Sequence, residues 1–227
     1  HIWALPESGS DHLVFVFHGY SSAKESNESK IRLLAKKGMA VLAMDAPYHG
    51  KRKNAEKFDE LAEQRGPNLM IDIALKQTSE LRHLITHFQA RGFRRFSILG
   101  VSMGGIGALV VGGREPRISN VVSILGSPDW RVFGDWLDRK YESINPILNL
   151  DDYADQSVFA ISAGLDRIAP AKYSEAFIDR LKSRFPERGS SYSFLEYPES
   201  EHFMREQDWQ ALWSEVTNGL TKTDVAQ

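Results

Sequence analysis

Residues 98–107 read Ile-Leu-Gly-Val-Ser-Met-Gly-Gly-Ile-Gly, an apolar run that ends on a serine fenced by glycines. A serine hydroxyl is a weak nucleophile until a base takes its proton. To react, it must stand clear of its neighbours and within reach of an imidazole. A sharp strand-to-helix turn achieves this, but it crowds the backbone two residues to either side, where only small residues fit. Gly100, Ser102 and Gly104 have that spacing, and Gly105 relieves the same crowding one step on. The alternative is a packing turn whose serine is incidental. A phosphate-binding turn is disfavoured, because no P-loop lysine follows and the third small residue of a dinucleotide fingerprint is missing.

A nucleophile on such a turn needs an acid and then a histidine further along the chain. The sequence holds seven histidines, and His202 alone lies downstream of Ser102. It falls in Pro198-Glu199-Ser200-Glu201-His202-Phe203, a polar stretch between the last expected strand and the last expected helix. Asp166 ends Ile161-Ser162-Ala163-Gly164-Leu165-Asp166, just beyond another strand. It would accept the imidazole N–H, fix the tautomer and stabilise the imidazolium. Asp129, in Gly126-Ser127-Pro128-Asp129, is the second choice of acid. The developing oxyanion needs two backbone donors already in place. Met103 N–H is one and Tyr20 N–H, in the loop His18-Gly19-Tyr20, is the other. His18 then braces that loop.

These groups need elements to carry them. Apolar runs at His12 to Phe17, Ala40 to Met44, Phe96 to Leu99, Val121 to Leu125, Val158 to Ile161 and Tyr192 to Tyr197 read as strands. Between them, Ile31, Leu34 and Ala35 have helical spacing, as do Met70, Ile73, Gln77, Leu81, Leu84 and Phe88 after Pro67. Helices are expected also over Ile106 to Val111, over Tyr173 to Phe185, and along the stripe Trp209, Leu212, Trp213, Val216 and Leu220. Strands alternating with helices predict a mostly parallel sheet covered on both faces. Such sheets carry their chemistry in loops at the carboxyl ends of the strands.

With His18-Gly19, Gly100-x-Ser102-x-Gly104, Asp166 and His202 in this order over nearly the whole chain, the sequence resembles the α/β-hydrolases. The resemblance implies an α/β-hydrolase fold, with a short lid-like insertion after the sixth of the family's eight strands. More narrowly, Asp45-Ala46-Pro47-Tyr48-His49-Gly50 with Lys51-Arg52 resembles compact bacterial esterases related to the dienelactone hydrolases. There the equivalent stretch follows the fourth strand and shapes the floor of the active site. Two departures stand out. Dienelactone hydrolases use a cysteine, and this chain has none, so their substrate is not carried over. The first of the usual eight strands is also missing.

The implied activity is that of a serine hydrolase. It would be a carboxylesterase acting on short or medium acyl esters, or small aromatic ones, through Ser102, Asp166, His202 and an acyl-enzyme, with no cofactor and no metal. A thioesterase or small peptidase would use the same triad, and a non-catalytic hydrolase-like binding protein is the alternative of another class. One domain is expected over 1–227, with 128–155 a small lid within it. Trp130, Phe133 and Trp136 of that segment, together with Tyr48, are the expected pocket wall.

Composition bounds the rest. The chain has 227 residues, 42% hydrophobic and 26% charged, ordinary for a globular domain that buries roughly 70% of its unfolded surface. A net charge of −2 gives no reason to expect nucleic acid as a partner. No apolar run approaches the roughly 18 residues of a membrane span. A small-molecule ester is the expected partner and the cytoplasm the expected compartment, with export and the oligomeric state left open. His83 and His87 have the spacing of helix-borne metal ligands, but no glutamate lies between them and they flank an apolar face.

Overall fold

The protein is described by a computed structural model covering residues 1–222 of the chain. Seven strands form one sheet: β1 (Ile2–Ala4), β2 (His12–Phe17), β3 (Ala40–Ala43), β4 (Arg95–Val101), β5 (Ile118–Ile124), β6 (Ser157–Ala163) and β7 (Tyr192–Tyr197). Their spatial order is β1-β3-β2-β4-β5-β6-β7. All neighbours run parallel except β1, which pairs antiparallel with β3 at one edge.

The six apolar runs read from the sequence are the six parallel strands. All six residues of β2 are buried, which alternation on a half-exposed sheet would not allow. The helices explain it. Leu13, Phe15 and Phe17 face α3 (Asn68–Gln89), α4 (Met103–Arg114) and α5 (Ala171–Arg184), packing with Leu81, Leu109 and Phe177. Val14 and Val16 face the other way, among Ile31 and Leu34 of α1 (Glu28–Lys36) and Trp213 and Val216 of α6 (Glu206–Lys222). A parallel sheet clothed on both faces needs continuous apolar strands.

Two elements escape the apolar pattern. β1 is three half-buried residues. The helix α2 (Ala55–Arg65) buries no residue fully. It starts at Asn54, whose side chain accepts from Lys57 N at 3.0 Å, and ends at Gly66, where φ is +51°.

The segment 128–155 follows β5. It forms four short 3-10 turns fastened to the helices beside it. Trp130 is fully buried among Ile71, Ala74, Ile106 and Val110. The Tyr141 hydroxyl donates to Asp72 and accepts from Arg65 at 2.8 Å. Asn68 donates to Trp136 O at 2.6 Å and accepts from Asp138 N at 2.9 Å.

Candidate active site

Ser102 sits between the end of β4 and the first residue of α4 with φ +56° and ψ −116°, a conformation in which non-glycine residues are strained. The glycines around it show why the turn needs them. A Cβ on Gly100 would lie 1.8 Å from Gly104 O, and one on Gly104 would lie 2.5 Å from Phe17 O. Gly105 is pressed against Ile124 O at 2.9 Å in the same sense. Ser102 N donates to Ile124 O at 2.8 Å, so the turn is tied to the neighbouring strand.

The Ser102 hydroxyl lies 2.8 Å from His202 Nε2, and His202 Nδ1 lies 2.7 Å from Asp166 Oδ2. An ionised carboxylate only accepts, so Nδ1 carries the proton and Nε2 is left to accept from the serine. Asp166 Oδ1 accepts from the amides of Ile168 and Ala169 at 2.7 and 2.9 Å. Burial by itself would raise the Asp166 carboxyl. The hydrogen bond from His202 and the two amides outweigh it and hold the group below its usual range. It stays ionised.

Asp129, the second choice of acid, is committed elsewhere. Its carboxylate accepts from Arg131 Nε at 2.8 Å, from a second Arg131 nitrogen and from Arg131 N. Of the two acids, only Asp166 meets His202.

Two backbone donors beside the serine turn, Met103 N–H and Tyr20 N–H, are unpaired among the described residues. The first begins α4, where amides have no intrahelical acceptor. The second is aimed by His18, whose Nδ1–H donates to Gly19 O at 2.8 Å while Nε2 accepts from Ala46 N at 2.9 Å. Both bonds together require a neutral imidazole, and burial, ahead of smaller contributions, does lower the His18 pKa. Because a trans peptide is planar, fixing the Gly19 carbonyl towards His18 turns the Tyr20 N–H to the opposite side. A Cβ on Gly19 would stand 3.6 Å from Ser102 Cβ, so this loop lies directly against the turn.

Asp45-Ala46-Pro47-Tyr48-His49-Gly50, expected to shape the floor, does not line the cleft and reaches it through His18 and Lys24. Asp45 accepts from Lys24 Nζ at 2.7 Å, Lys24 N at 3.1 Å and Lys51 N at 3.0 Å. Burial raises its pKa, but the Lys24 ammonium and the amides overcome this and bring it down to about 2. Gly50 is required because a Cβ there would fall 2.0 Å from Asp45 Oδ1.

Ser102 and His202 open on a cleft of about 830 Å³, within the range of small-molecule sites. Its walls are not the expected ones. None of Tyr48, Trp130, Phe133 and Trp136 lines it. Trp130 and Phe133 pack on α3 and α4. Tyr48 packs with Phe58 and Leu61 and accepts from Lys76 Nζ at 2.6 Å. Trp136 lies beside Gly66 but is 73% exposed. The apolar walls are Ala62, Pro67 and Met70 from the α2–α3 corner, Leu125 after β5, and Ile168, Met204 and Trp209. Leu125, which the apolar run placed at the end of a strand, is the first residue past β5. It is held at φ +55°, so the cleft borders on three residues at positive φ that are not glycine, Ser21, Ser102 and Leu125. At the mouth, Ile168 is 60% and Phe203 is 90% exposed.

Residues 25–137 match the family model described as alpha/beta hydrolase domain containing 18. Together with the sheet order and the strand-end cleft, that match agrees with an α/β-hydrolase fold. The chain is 28% identical over 214 residues to YitV of Bacillus subtilis (strain 168), a protein provisionally named an esterase, covering 84% of this chain and 82% of YitV. Its fold is similar to that of TT1662 from Thermus thermophilus, with a TM-score of 0.76 at 19% identity over 96% of this chain and 92% of that one. The Pyrococcus furiosus esterase Pf2001 has a TM-score of 0.69 at 19% identity over 97% and 91% of the two chains. Among the described residues, no helix is long and apolar enough to cross a membrane.

Proposed function

We propose that this chain is a carboxylesterase that works through an acyl-enzyme on Ser102. His202 takes the Ser102 proton as the oxygen attacks the ester carbonyl. The new oxyanion is received by the N–H groups of Met103 and Tyr20. His202 then protonates the departing alcohol, and the same imidazole activates water to release the acid. Asp166 keeps Nδ1 protonated and offsets the charge on the imidazolium. Small aromatic esters and short or medium acyl esters suit the cleft, whose walls are mostly apolar.

The observation that carries this reading is the unbroken line from Ser102 Oγ through His202 to Asp166 Oδ2, at 2.8 and 2.7 Å. Similarity to a protein provisionally named an esterase favours an ester over a thioester or peptide bond. The test is a panel of p-nitrophenyl esters and thioesters of increasing acyl length, run beside a fluorophosphonate probe. Ester turnover with the probe on Ser102 supports the proposal. No turnover and no labelling would favour a binding protein, and faster thioester than ester cleavage at every chain length would make it a thioesterase.

A further inference from the structure

We infer that the cleft has a hydroxyl-binding corner at Asn27, so that the ester it accepts carries an alcoholic hydroxyl in addition to the ester group. This deepens the esterase reading and rests on it.

Asn27 is the residue before α1, the position where an asparagine side chain ordinarily caps the free amides of a helix. Here it makes no capping bond. Its side chain makes no hydrogen bond to any described residue, although Asn27 is only 6% exposed. A buried amide without a partner is destabilising, and native structures seldom keep one without a reason. Neither polar atom of this amide is among those sealed from solvent, and Asn27 lies on the wall of the cleft that holds Ser102 and His202.

The amide is also held in place. Asn27 ends a short 3-10 turn that begins at Lys24, and Lys24 is bolted to Asp45 through both its amide and its ammonium. Lys24 is itself 3% exposed, so the turn has little freedom to swing Asn27 towards another partner. Asp45 therefore acts on the cleft through this turn.

The surroundings select the ligand. Ser22 donates to Ser26 Oγ at 2.7 Å, which leaves the Ser26 proton free, and Ser22 and Ser26 share the wall with Asn27. An amide and a hydroxyl that each donate and accept match a hydroxyl, which does both. An anion is disfavoured by Glu206 on the cleft wall and by Glu28 next to Asn27. The Lys24 charge is already taken by Asp45 and Glu25. Met70, Pro67 and Ala62 receive the apolar part of the same molecule.

The experiment compares matched esters that differ by one hydroxyl, in wild type and in Asn27→Leu, which keeps the volume and removes both polar atoms. One arm places the hydroxyl on the alcohol side, as hydroxyethyl against propyl benzoate. The other places it on the acid side, as p-nitrophenyl esters of hydroxylated against plain aliphatic acids. In one arm, wild type is expected to favour the hydroxylated ester by about tenfold in kcat/KM, the worth of one hydrogen bond to a buried group. The arm that shows it assigns the side. Asn27→Leu should erase that preference, mainly through KM, while Ser102 still reacts with a simple alkyl fluorophosphonate at the wild-type rate. If Asn27→Leu does not fold, Asn27→Ala is read in the same way. Equal ratios in wild type and variant, or no preference in either arm, overturn the inference while leaving the esterase reading intact. Absence of both turnover and labelling in wild type removes the esterase reading, and this inference with it.

Discussion

Asp166 holds His202 with one carboxylate oxygen and is held by the chain with the other. Oδ2 accepts from Nδ1 at 2.7 Å, and Oδ1 accepts from Ile168 N and Ala169 N at 2.7 and 2.9 Å. An asparagine could keep this shape, yet it can present its NH₂ to the imidazole and so favour the wrong tautomer. Asp166→Asn is therefore expected to lower kcat by about 10³- to 10⁴-fold with little change in melting temperature. Asp129→Asn should leave kcat within a few-fold, because its partner is Arg131. Steady-state kinetics on both variants decide it; a larger loss for Asp129→Asn would mean that the acid is misassigned.

The turn at Ser102 stores strain for the sake of one hydroxyl. A left-handed conformation costs a non-glycine residue roughly 1–2 kcal/mol, and Ser102 stands at φ +56°. Ser102→Gly should abolish ester turnover and yet raise stability by about 1 kcal/mol, a gain of roughly 2–4 °C in melting temperature for a chain of this size. Ser102→Ala should abolish turnover without that gain. Calorimetry of the three proteins tests the contrast, and equal melting temperatures for Ser102→Gly and wild type would argue that the turn is unstrained.

Lys24 and Asp45 are both buried, at 3% and 5% exposure. Removing one member of such a pair leaves an uncompensated charge, a loss of about 3–5 kcal/mol. Lys24→Met, which strands the Asp45 carboxylate, is expected to lose that much in urea unfolding, and Asp45→Asn less, because Lys24 keeps Glu25 at 2.7 Å. The double variant should be less destabilised than the sum of the two, because neither charge then remains. Strict additivity would show that the two side chains are not coupled.

At the opposite end of the sheet, His12 Nε2 lies 2.7 Å from Ser97 Oγ, and Ser97 also accepts from Asn120 at 3.0 Å. Burial, helped by the Arg95 charge, lowers the His12 pKa to about 4 from the ordinary 6.5. Between these values the unfolded chain binds a proton that the folded one refuses. The stability associated with neutral His12 is thus complete above pH 6.5 and declines as the pH falls towards about 4, by about 3 kcal/mol at most. His12→Gln should flatten that part of the stability profile. An unchanged slope in the variant would place the acid sensitivity elsewhere.

The parallel strands and the meeting of Ser102 with His202 were legible because their physical demands are narrow. A two-faced sheet forces unbroken apolar runs, and an exposed serine on a tight turn forces glycines at fixed offsets. The acid was legible as a first choice, Asp166, and a second, Asp129, because both follow strands. What separates them is that Asp166 meets His202 while Asp129 is taken by Arg131. The cleft wall was misread for a related reason. Aromatic content predicts burial without saying against what: Trp130 went under the surface of α3 and α4, and Trp136 stayed outside. The true wall includes Ala62 of α2, whose sequence Ala-Glu-Lys-Phe-Asp-Glu-Leu-Ala-Glu-Gln-Arg has a weak apolar stripe. Its Asn54 cap and the Gly66-Pro67 stop were the available signals. Asn27 gave none, since an asparagine before a helix reads as an ordinary cap.

The ring of Phe203, next to His202 in sequence and edge-on to its imidazole at 5.9 Å between centroids, lies almost wholly in water with Ile168 close to the same opening. A guest that settles over these two side chains would strip their hydration, and loss of apolar hydration lowers heat capacity. Titration calorimetry at several temperatures would then record a binding enthalpy that grows more favourable on warming, a thermal signature written by the doorway and not by the chemistry behind it.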